Sequence, residues 1–527
     1  MKEFDSSLIP PDELTPLVEM LLRVIQNQQE EIDKLKEEIS KLKGQKGRPK
    51  IKPSSLEKAK RSRDGTKRNR NGEAPLGRRK VRKEERVIEP AHIPEGSRFK
   101  GYKTYTVQDL LIQATEITFK LKVYVTPEGQ LVRGELPKGY SSGHFGPELL
   151  AHCLQLYHGG FMTQPAVLEY LREQGVDISA GQLHNILTEN TEDFTQEMEA
   201  TRQAGIEESS HLHADDTGAR HQGENGVCTC VSGPLFCYFS SSKSKSRLNF
   251  LEILRGTHKD YILDEGALIY AFEHEITISS MDKLDSVLDE AGEKRFRSKK
   301  SWVRFLKKMK ISGEKDVRIL SEAAVLASAI HHGLPEGIPI LTDAAPQFYL
   351  WTSHALCWIH EERHYRKLIP VSNHERDELD KIRGQIWDLY EELKAFSAAP
   401  SEDKRKELEA MFGKIFKRSG VTDGLDELLK NTYSRMKGLL QVLKHPHIPL
   451  HNNDCERDIR AYVKRRKISG TTRSAAGRRA RDTFLSLQKT CLKLGISFFG
   501  YIRDRLCQLN EIPPLNEVLV ELARAGP

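Results

Sequence analysis

The sequence predicts a multidomain α/β protein, and three features carry that reading. Apolar residues recur at heptad spacing over residues 17–43. A dense cationic block follows. From residue 208 onward, short runs alternating with period two are interleaved with runs of helical period, the pattern of a sheet flanked by helices. At 527 residues the chain can form roughly three or four units with cores of their own.

Composition narrows the class. Hydrophobic residues make up 38% and charged residues 30%, ordinary for a water-soluble protein with charge-rich segments. No run approaches the roughly eighteen apolar residues of a membrane span, and no early apolar signal core is present. The eight cysteines are sparse and scattered, which suits a reducing compartment better than a disulfide framework. The expected location is cytoplasmic.

Residues 10–43 read as a coiled coil. Val18, Ile25, Ile32 and Ile39 share one heptad position; Leu21, Gln28, Leu35 and Leu42 fall three later. β-Branched residues at the first position and Leu at the second favour a parallel two-stranded coil. The competing reading is an amphipathic helix packed on its own chain. Residues 44–90 read as a flexible basic linker. Between 41 and 86 there are nineteen Lys and Arg against five acids, with few large apolar residues. Such a stretch cannot bury enough surface to fold alone, and it attracts phosphate backbones by counterion release. Within it, Gly47-Arg48-Pro49-Lys50 resembles the core of an AT-hook. Arg48 and Lys50 therefore serve either minor-groove contact or general DNA attraction.

Residues 91–140 alternate as strands do, at Thr104-Tyr105-Thr106-Val107 and from Ile117 to Val125. A Pro127-Glu128-Gly129 turn then leads to Leu131-Val132-Arg133. Residues 141–200 read as helices, with Ser179 placed to cap the helix from Ala180 to Leu187. Their spacing fits a helix-turn-helix or helices that simply pack together.

Residues 208–510 read as an α/β core. His211 to Asp215, Val227 to Val231 and Leu235 to Ser240 are strands, and residues 244–255 form a helix. Ile338 to Thr342 and Ala355 to Ile359 are two more strands. The Cys228-x-Cys230 pair fits strand alternation rather than a metal site, because no other paired ligands accompany it. Helical inserts are expected at about 275–335, including Arg295 to Lys310, and at 370–445, where Ile382, Ile386, Leu389, Tyr390 and Leu393 keep helical spacing. Residues 511–527 form a C-terminal tail.

Three acidic positions stand out. Asp215 and Asp216 follow a strand in His213-Ala214-Asp215-Asp216-Thr217. Asp343 ends another strand. Glu456 lies in His451-Asn452-Asn453-Asp454-Cys455-Glu456-Arg457-Asp458-Ile459-Arg460, where Asn452 to Asp454 supply capping side chains. Arg460 and Lys464 follow Glu456 at four-residue steps, and Arg466-Lys467 come just after. Three carboxylates converging from distant sequence can hold Mg2+, which prefers oxygen ligands and keeps several waters. Two such ions about 4 Å apart can activate an attacking oxygen and hold a leaving one. Arg363, Arg457, Arg460, Lys464, Arg466 and Lys467 are candidates for binding phosphates, and His360 for ordering a ligand. No Walker loop, paired-His zinc motif or partnered Ser or Cys nucleophile is present.

These segments resemble the transposases of the insertion sequence 66 family at three places. The first is the strand ending in His213-Ala214-Asp215-Asp216-Thr217. The second is Asp343, followed fourteen residues later by Cys357-Trp358-Ile359-His360. The third is Asn452-Asn453-x-x-Glu456-Arg457-x-x-Arg460. The resemblance spans roughly residues 145–510, with a looser likeness in the coiled coil. It implies a ribonuclease-H-like catalytic core with helical insertions, preceded by the coiled coil, basic linker and helical DNA-binding region. It also implies a bacterial, nucleoid-associated DDE transposase. Asp215, Asp343 and Glu456 would then hold Mg2+, with Mn2+ as a substitute, to cut element ends and join them to target DNA. Its partners would be double-stranded DNA, a second copy of the chain or a higher assembly, and helper proteins of the same element. Many family members carry zinc-finger cysteines near residues 91–140. This chain has no cysteine before Cys153, so a small β unit stands there instead. The long Asp215–Asp343 interval leaves Asp264 as a rival second acid; the Cys357-Trp358 signature favours Asp343. Alternative functions are a non-catalytic DNA-binding protein derived from such an enzyme, and a metal-dependent nuclease that never joins ends.

The coil carries its own test. Replacing Ile32 and Leu35 with Lys places charges in the seam and should shift the chain to a smaller species in light scattering. An unchanged mass would mean that the helix packs within its own chain.

Overall fold

A computed structural model describes residues 76–77, 83–140, 143–189, 191–350, 353–368, 370, 373–417, 420 and 423–525. The coiled-coil segment 10–43, the tetrapeptide with Arg48 and Lys50, and most of the basic linker lie outside these residues. The chain divides after Glu73 into two units, the second running from Ala74 to Pro527. Among the described residues, no helix is long and apolar enough to cross a membrane.

The first described elements are a small hairpin, β1 (Val123–Val125) and β2 (Leu131–Arg133), closed at the Pro127-Glu128-Gly129 turn. Residues 104–107 alternate in sequence but form no strand. They have no neighbouring strand to complete their hydrogen bonds, and alternation alone does not hold an isolated strand in water.

Four helices follow: α1 (Pro147–Leu154), α2 (Gln164–Glu173), α3 (Ala180–Thr188) and α4 (Glu192–Glu207). Ser179 caps α3 by a reciprocal pair: its hydroxyl accepts from the Gln182 amide at 3.2 Å, and the Ser179 amide donates to the Gln182 side chain at 2.9 Å. The central sheet begins with β3 (Leu212–His221), β4 (Glu224–Ser232) and β5 (Cys237–Ser242). Gln222 and Gly223, both with positive φ (50° and 85°), form the tight turn between β3 and β4. That backbone suits the twist of a two-residue hairpin and favours Gly at the second position.

After α5 (Arg247–Arg255), a side layer holds β6 (Tyr261–Leu263), α6 (Glu265–Glu273), α7 (Ile278–Ala291), β7 (Lys294–Phe296), α8 (Lys299–Lys308) and α9 (Glu314–His331). Arg295, expected in a helix, instead pairs with Ile262 in the small β6–β7 sheet, and the helix starts only after the Ser298 cap. The main sheet resumes with β8 (Ile340–Thr342) and β9 (His354–Leu356). Ile359, expected in a strand, lies in α10 (Trp358–Lys367), because Cys357 already breaks into the helix cap. A helical insert follows, α11 (Asn373–Ala398), α12 (Glu402–Ile415), α13 (Asp423–Ser434) and α14 (Met436–Leu439). The chain closes with α15 (Asn453–Ser469), α16 (Ala475–Lys493), α17 (Phe498–Cys507) and α18 (Leu515–Ala525). The C-terminal segment is thus helical, with Leu515 and Leu519 buried.

The main sheet has the order β5-β4-β3-β8-β9. β3, β4 and β5 run antiparallel to one another, whereas β8 and β9 run parallel to β3. Alternation along β3 and β4 assigns the two faces. Leu212, Ala214 and Val231 join the large core with Phe250, Leu251 and Leu254 of α5. On the other face, Cys228, Cys230, Cys237 and Phe239 pack against Cys455, Ile459 and Tyr462 of α15 and Leu485 of α16.

The open edge of β5 is closed by side chains. Thr490, Ser486 and Asp482, one per turn of α16, accept from the amides of Cys237, Phe239 and Ser241 at 3.1, 2.9 and 2.8 Å. Four helical residues rise about 6 Å and two strand residues about 6.6 Å, so the two ladders stay in step. Ser486→Ala or Thr490→Val leaves a buried amide without an acceptor. Each should lower stability in urea denaturation by about 1–3 kcal/mol. Leu492→Ala, on the exposed side of the same helix, should change it by less than about 0.5 kcal/mol.

Candidate functional site

Strand register brings two of the acids together. Leu212 pairs with Ile340 and His213 with Leu341. Two residues further along β3 stands Asp215, and Asp343 comes immediately after the end of β8, within electrostatic reach of it. The face of β3 that bears Asp215 is the one covered by α15, which carries Glu456 in its first turn.

Asn452 fixes the approach of α15. It stands at the N-cap, but its side chain does not cap the helix. Instead its amide donates to Ala214 O at 3.0 Å, and its carbonyl lies 2.8 Å from His213 Nδ1. Its backbone amide donates to Cys357 Sγ at 3.2 Å. The expected capping residue is therefore an anchor. One buried side chain ties the start of α15 to the strand that bears Asp215.

Cys357 and Trp358 have complementary roles. The Cys357 amide donates to Thr342 O at 3.1 Å, just before Asp343. The Trp358 indole donates to Leu439 O at 2.8 Å, and its ring packs near Phe412 and Phe416 of the insert. The following turn, His360 to Arg363, divides by face. Glu361 accepts from Thr432 at 2.6 Å and Arg435 at 3.0 Å, and Glu362 accepts from Arg383 at 2.7 Å. These bonds clamp α10 into α11 and α13. His360 and Arg363 look the other way, with ring and guanidinium nitrogens 3.5 and 3.4 Å from Glu456 Oε1.

The electrostatics record crowding. Burial raises the Asp215 carboxyl, and the charges of Asp343, Asp216 and Glu456 add to it against the Asp216 amide bond, leaving a pKa of about 7. Burial also holds the His360 imidazole below its ordinary value, although Glu456 and Asp343 pull it up. Glu456 Oε1 is buried and has no hydrogen-bond partner among the described residues. Asp216 is occupied elsewhere, by Lys245 at 3.0 Å and Gln347 at 2.5 Å. Neither Lys245 nor Gln347 belongs to a motif that the sequence could flag. Asp264 is not part of this group. It caps α6, accepting from Ala267 N at 2.7 Å, and its charged neighbours are Glu293 and Glu336.

The cations of α15 form an exposed stripe. Arg457, Arg460, Lys464 and Lys467 are all exposed and recur every three or four residues. Arg460 reaches back to Glu456 Oε2 at 3.1 Å, Arg457 pairs with Asp454, and Lys464 sits 5.3 Å from the Phe161 ring centre. Arg466 donates to Gly218 O on β3. Arg465 is instead buried, donating to Tyr157 O at 2.7 Å.

The raised Asp215 pKa fixes a sign. Its ordinary value is 3.8, so between there and about 7 the folded chain holds a proton that the unfolded chain has lost. Stability of the metal-free protein should therefore fall as pH rises through that window. At pH 8 without divalent ions, Asp215→Asn should melt higher than wild type by about 2–4 °C. Adding Mg2+ should narrow the gap. A lower melting point for Asp215→Asn at pH 8 would contradict this crowding.

Residues 349–480 match the model described as Transposase IS66 family. That stretch contains Cys357, Trp358 and Glu456 but begins after Asp215 and Asp343. The chain is also 39% identical over 306 residues to an uncharacterized protein, y4jO, of Sinorhizobium fredii. The alignment covers 58% of this chain and 94% of the relative. No solved structure matches the chain. With nearly the whole length of that relative matched and the family model covering α10 through α15, the chain belongs to the IS66 transposase family.

Proposed function

We propose that this chain is a DDE-type DNA transposase whose catalytic acids are Asp215, Asp343 and Glu456. The observation that carries the reading is that Asp215, half-buried, lies within electrostatic reach of Asp343 and Glu456, three acids far apart in sequence. The sheet supports it: three antiparallel strands followed by two parallel ones, in the order β5-β4-β3-β8-β9, fit a ribonuclease-H-like core.

The donor set fits a hard divalent cation. All three groups are carboxylates, Glu456 Oε1 is buried without a hydrogen bond, and the ionised form of Asp215 is disfavoured by burial and by its acidic neighbours, which a cation would offset. Asp215, Asp343 and Glu456 would hold Mg2+, or Mn2+ in its place, which supplies Lewis acidity toward a DNA phosphate. The chain supplies the rest. Asn452 and the α10 clamp hold the acids in register. Arg363 and Arg460, resting near Glu456, are free to turn toward a phosphate once a cation shares that carboxylate. Arg457, Lys464, Arg466 and Lys467 continue the positive track along α15, and Arg48 and Lys50 in the basic linker add affinity for DNA of any sequence. Handling two element ends calls for a dimer or higher assembly, which the heptads of residues 10–43 would assist.

An assay with Mg2+, element ends and target DNA tests the proposal. Asp215→Asn, Asp343→Asn and Glu456→Gln should each abolish cutting and joining by at least about 100-fold while retaining DNA binding. Near-normal joining by one variant would remove that residue from the site. Supplying pre-cut ends separates the rivals: joined product supports a transposase, cleavage without joining indicates a nuclease, and binding alone indicates a DNA-binding protein without catalysis.

A further inference from the structure

We propose a second metal site, distinct in chemistry from the acid cluster, formed by His258, Asp260 and His332 and suited to zinc or a similar transition ion. One ligand atom from each residue lies within 4.8 Å of the other two. His258 lies in the loop after α5, Asp260 stands just before β6, and His332 is the C-cap of α9. The three thus join one helix of the core to both ends of the side layer.

The loop is held in shape from both ends. Gly256 has φ +71°, and a Cβ there would run into the Arg202 guanidinium. Arg202 donates to Leu254 O at 3.1 Å, and Arg255 donates to Asp260 O at 2.7 Å. Asp260 itself is aimed. Its Oδ1 accepts from Ser328 at 2.9 Å and lies 3.0 Å from His332 Nε2. Such an outer hydrogen bond orients a carboxylate ligand. The His258 and His332 rings stack with centres 3.5 Å apart and planes within 8°.

Donor chemistry selects the ion. Two imidazoles and one carboxylate suit zinc and neighbouring transition metals, whereas Mg2+ prefers oxygen donors alone. Zinc takes ligands at about 2.0–2.2 Å, so two donors on one tetrahedral ion lie roughly 3.4 Å apart. The stacked imidazoles turn apart on binding, so that one nitrogen of each ring faces the ion. The fourth position would be left to water. The nearby Arg202 and Arg255 oppose a cation, but each is offset by an acid, Glu199 at 3.0 Å and Glu252 at 3.9 Å.

The test uses the full chain in an Asp215→Asn/Glu456→Gln background, so that the acid cluster does not compete and DNA chemistry is not involved. After chelation and dialysis, Zn2+ is titrated calorimetrically, and Co2+ is added separately as a spectroscopic probe. One equivalent should bind, with visible Co2+ bands of imidazole coordination and a raised melting temperature; excess Mg2+ should not displace it. His258→Ala, at an exposed position, should weaken binding by more than about 100-fold and abolish the bands. His332→Ala should do the same. Absence of a Co2+ spectrum, or a stoichiometry and spectrum unchanged by His258→Ala, would overturn the proposal. Because the readout is metal binding alone, its failure leaves the transposase reading standing, and the converse also holds.

Discussion

Holding negative charges close together and partly out of water costs free energy, and much of this fold can be read as the means of doing so. Burial first, and then the charges of Asp343, Asp216 and Glu456, keep the Asp215 carboxyl from ionising until about pH 7. Left to themselves such groups separate. Here each is held by something rigid: Asp215 by a central strand, Asp343 by its place directly after the strand that pairs with it, Glu456 by a helix anchored at the residue before it. Crowding of this kind is characteristic of sites that handle cations or protons.

The anchor explains a sequence feature that local rules misread. Asn452 has the identity and position of a helix cap, yet both ends of its amide are used on β3. A cap would fix only the start of α15. The anchor fixes the distance between α15 and the sheet, which is what places Glu456. The helical insert acts at one remove in the same way. By gripping Glu361 and Glu362 from α13 and α11, it orients α10 so that His360 and Arg363 face Glu456. What reads in sequence as an interruption is thus packed against the site.

Legibility in the sequence followed the range of the interactions. The strands of the central sheet stood out because alternation and tight turns are local, and Ser179 announced itself as a helix cap for the same reason, though not its reciprocal bond with Gln182. Arg295 and Ile359 went to the wrong element because strand pairing in β6–β7 and the break at Cys357 depend on partners elsewhere in the chain. The acids were marked by their motifs. Their convergence, the displacement of Asp264 to a helix cap, and the supporting Lys245 and Gln347 came only with the fold, since no spacing rule links residue 215 to 343 or 456. The Asp482–Ser486–Thr490 ladder is a middle case: its four-residue period is visible, but its meaning requires the edge of β5 beside it.

The central claim is that Asp215, Asp343 and Glu456 make one cation-holding centre. Anomalous diffraction from crystals of the full chain soaked in Mn2+ tests it most directly. The account predicts density within ligand distance of Asp215 and Asp343, with Glu456 completing the set, and its loss in Asp215→Asn. Mn2+ density confined to other sites, with these three carboxylates bare at saturating concentration, would contradict it.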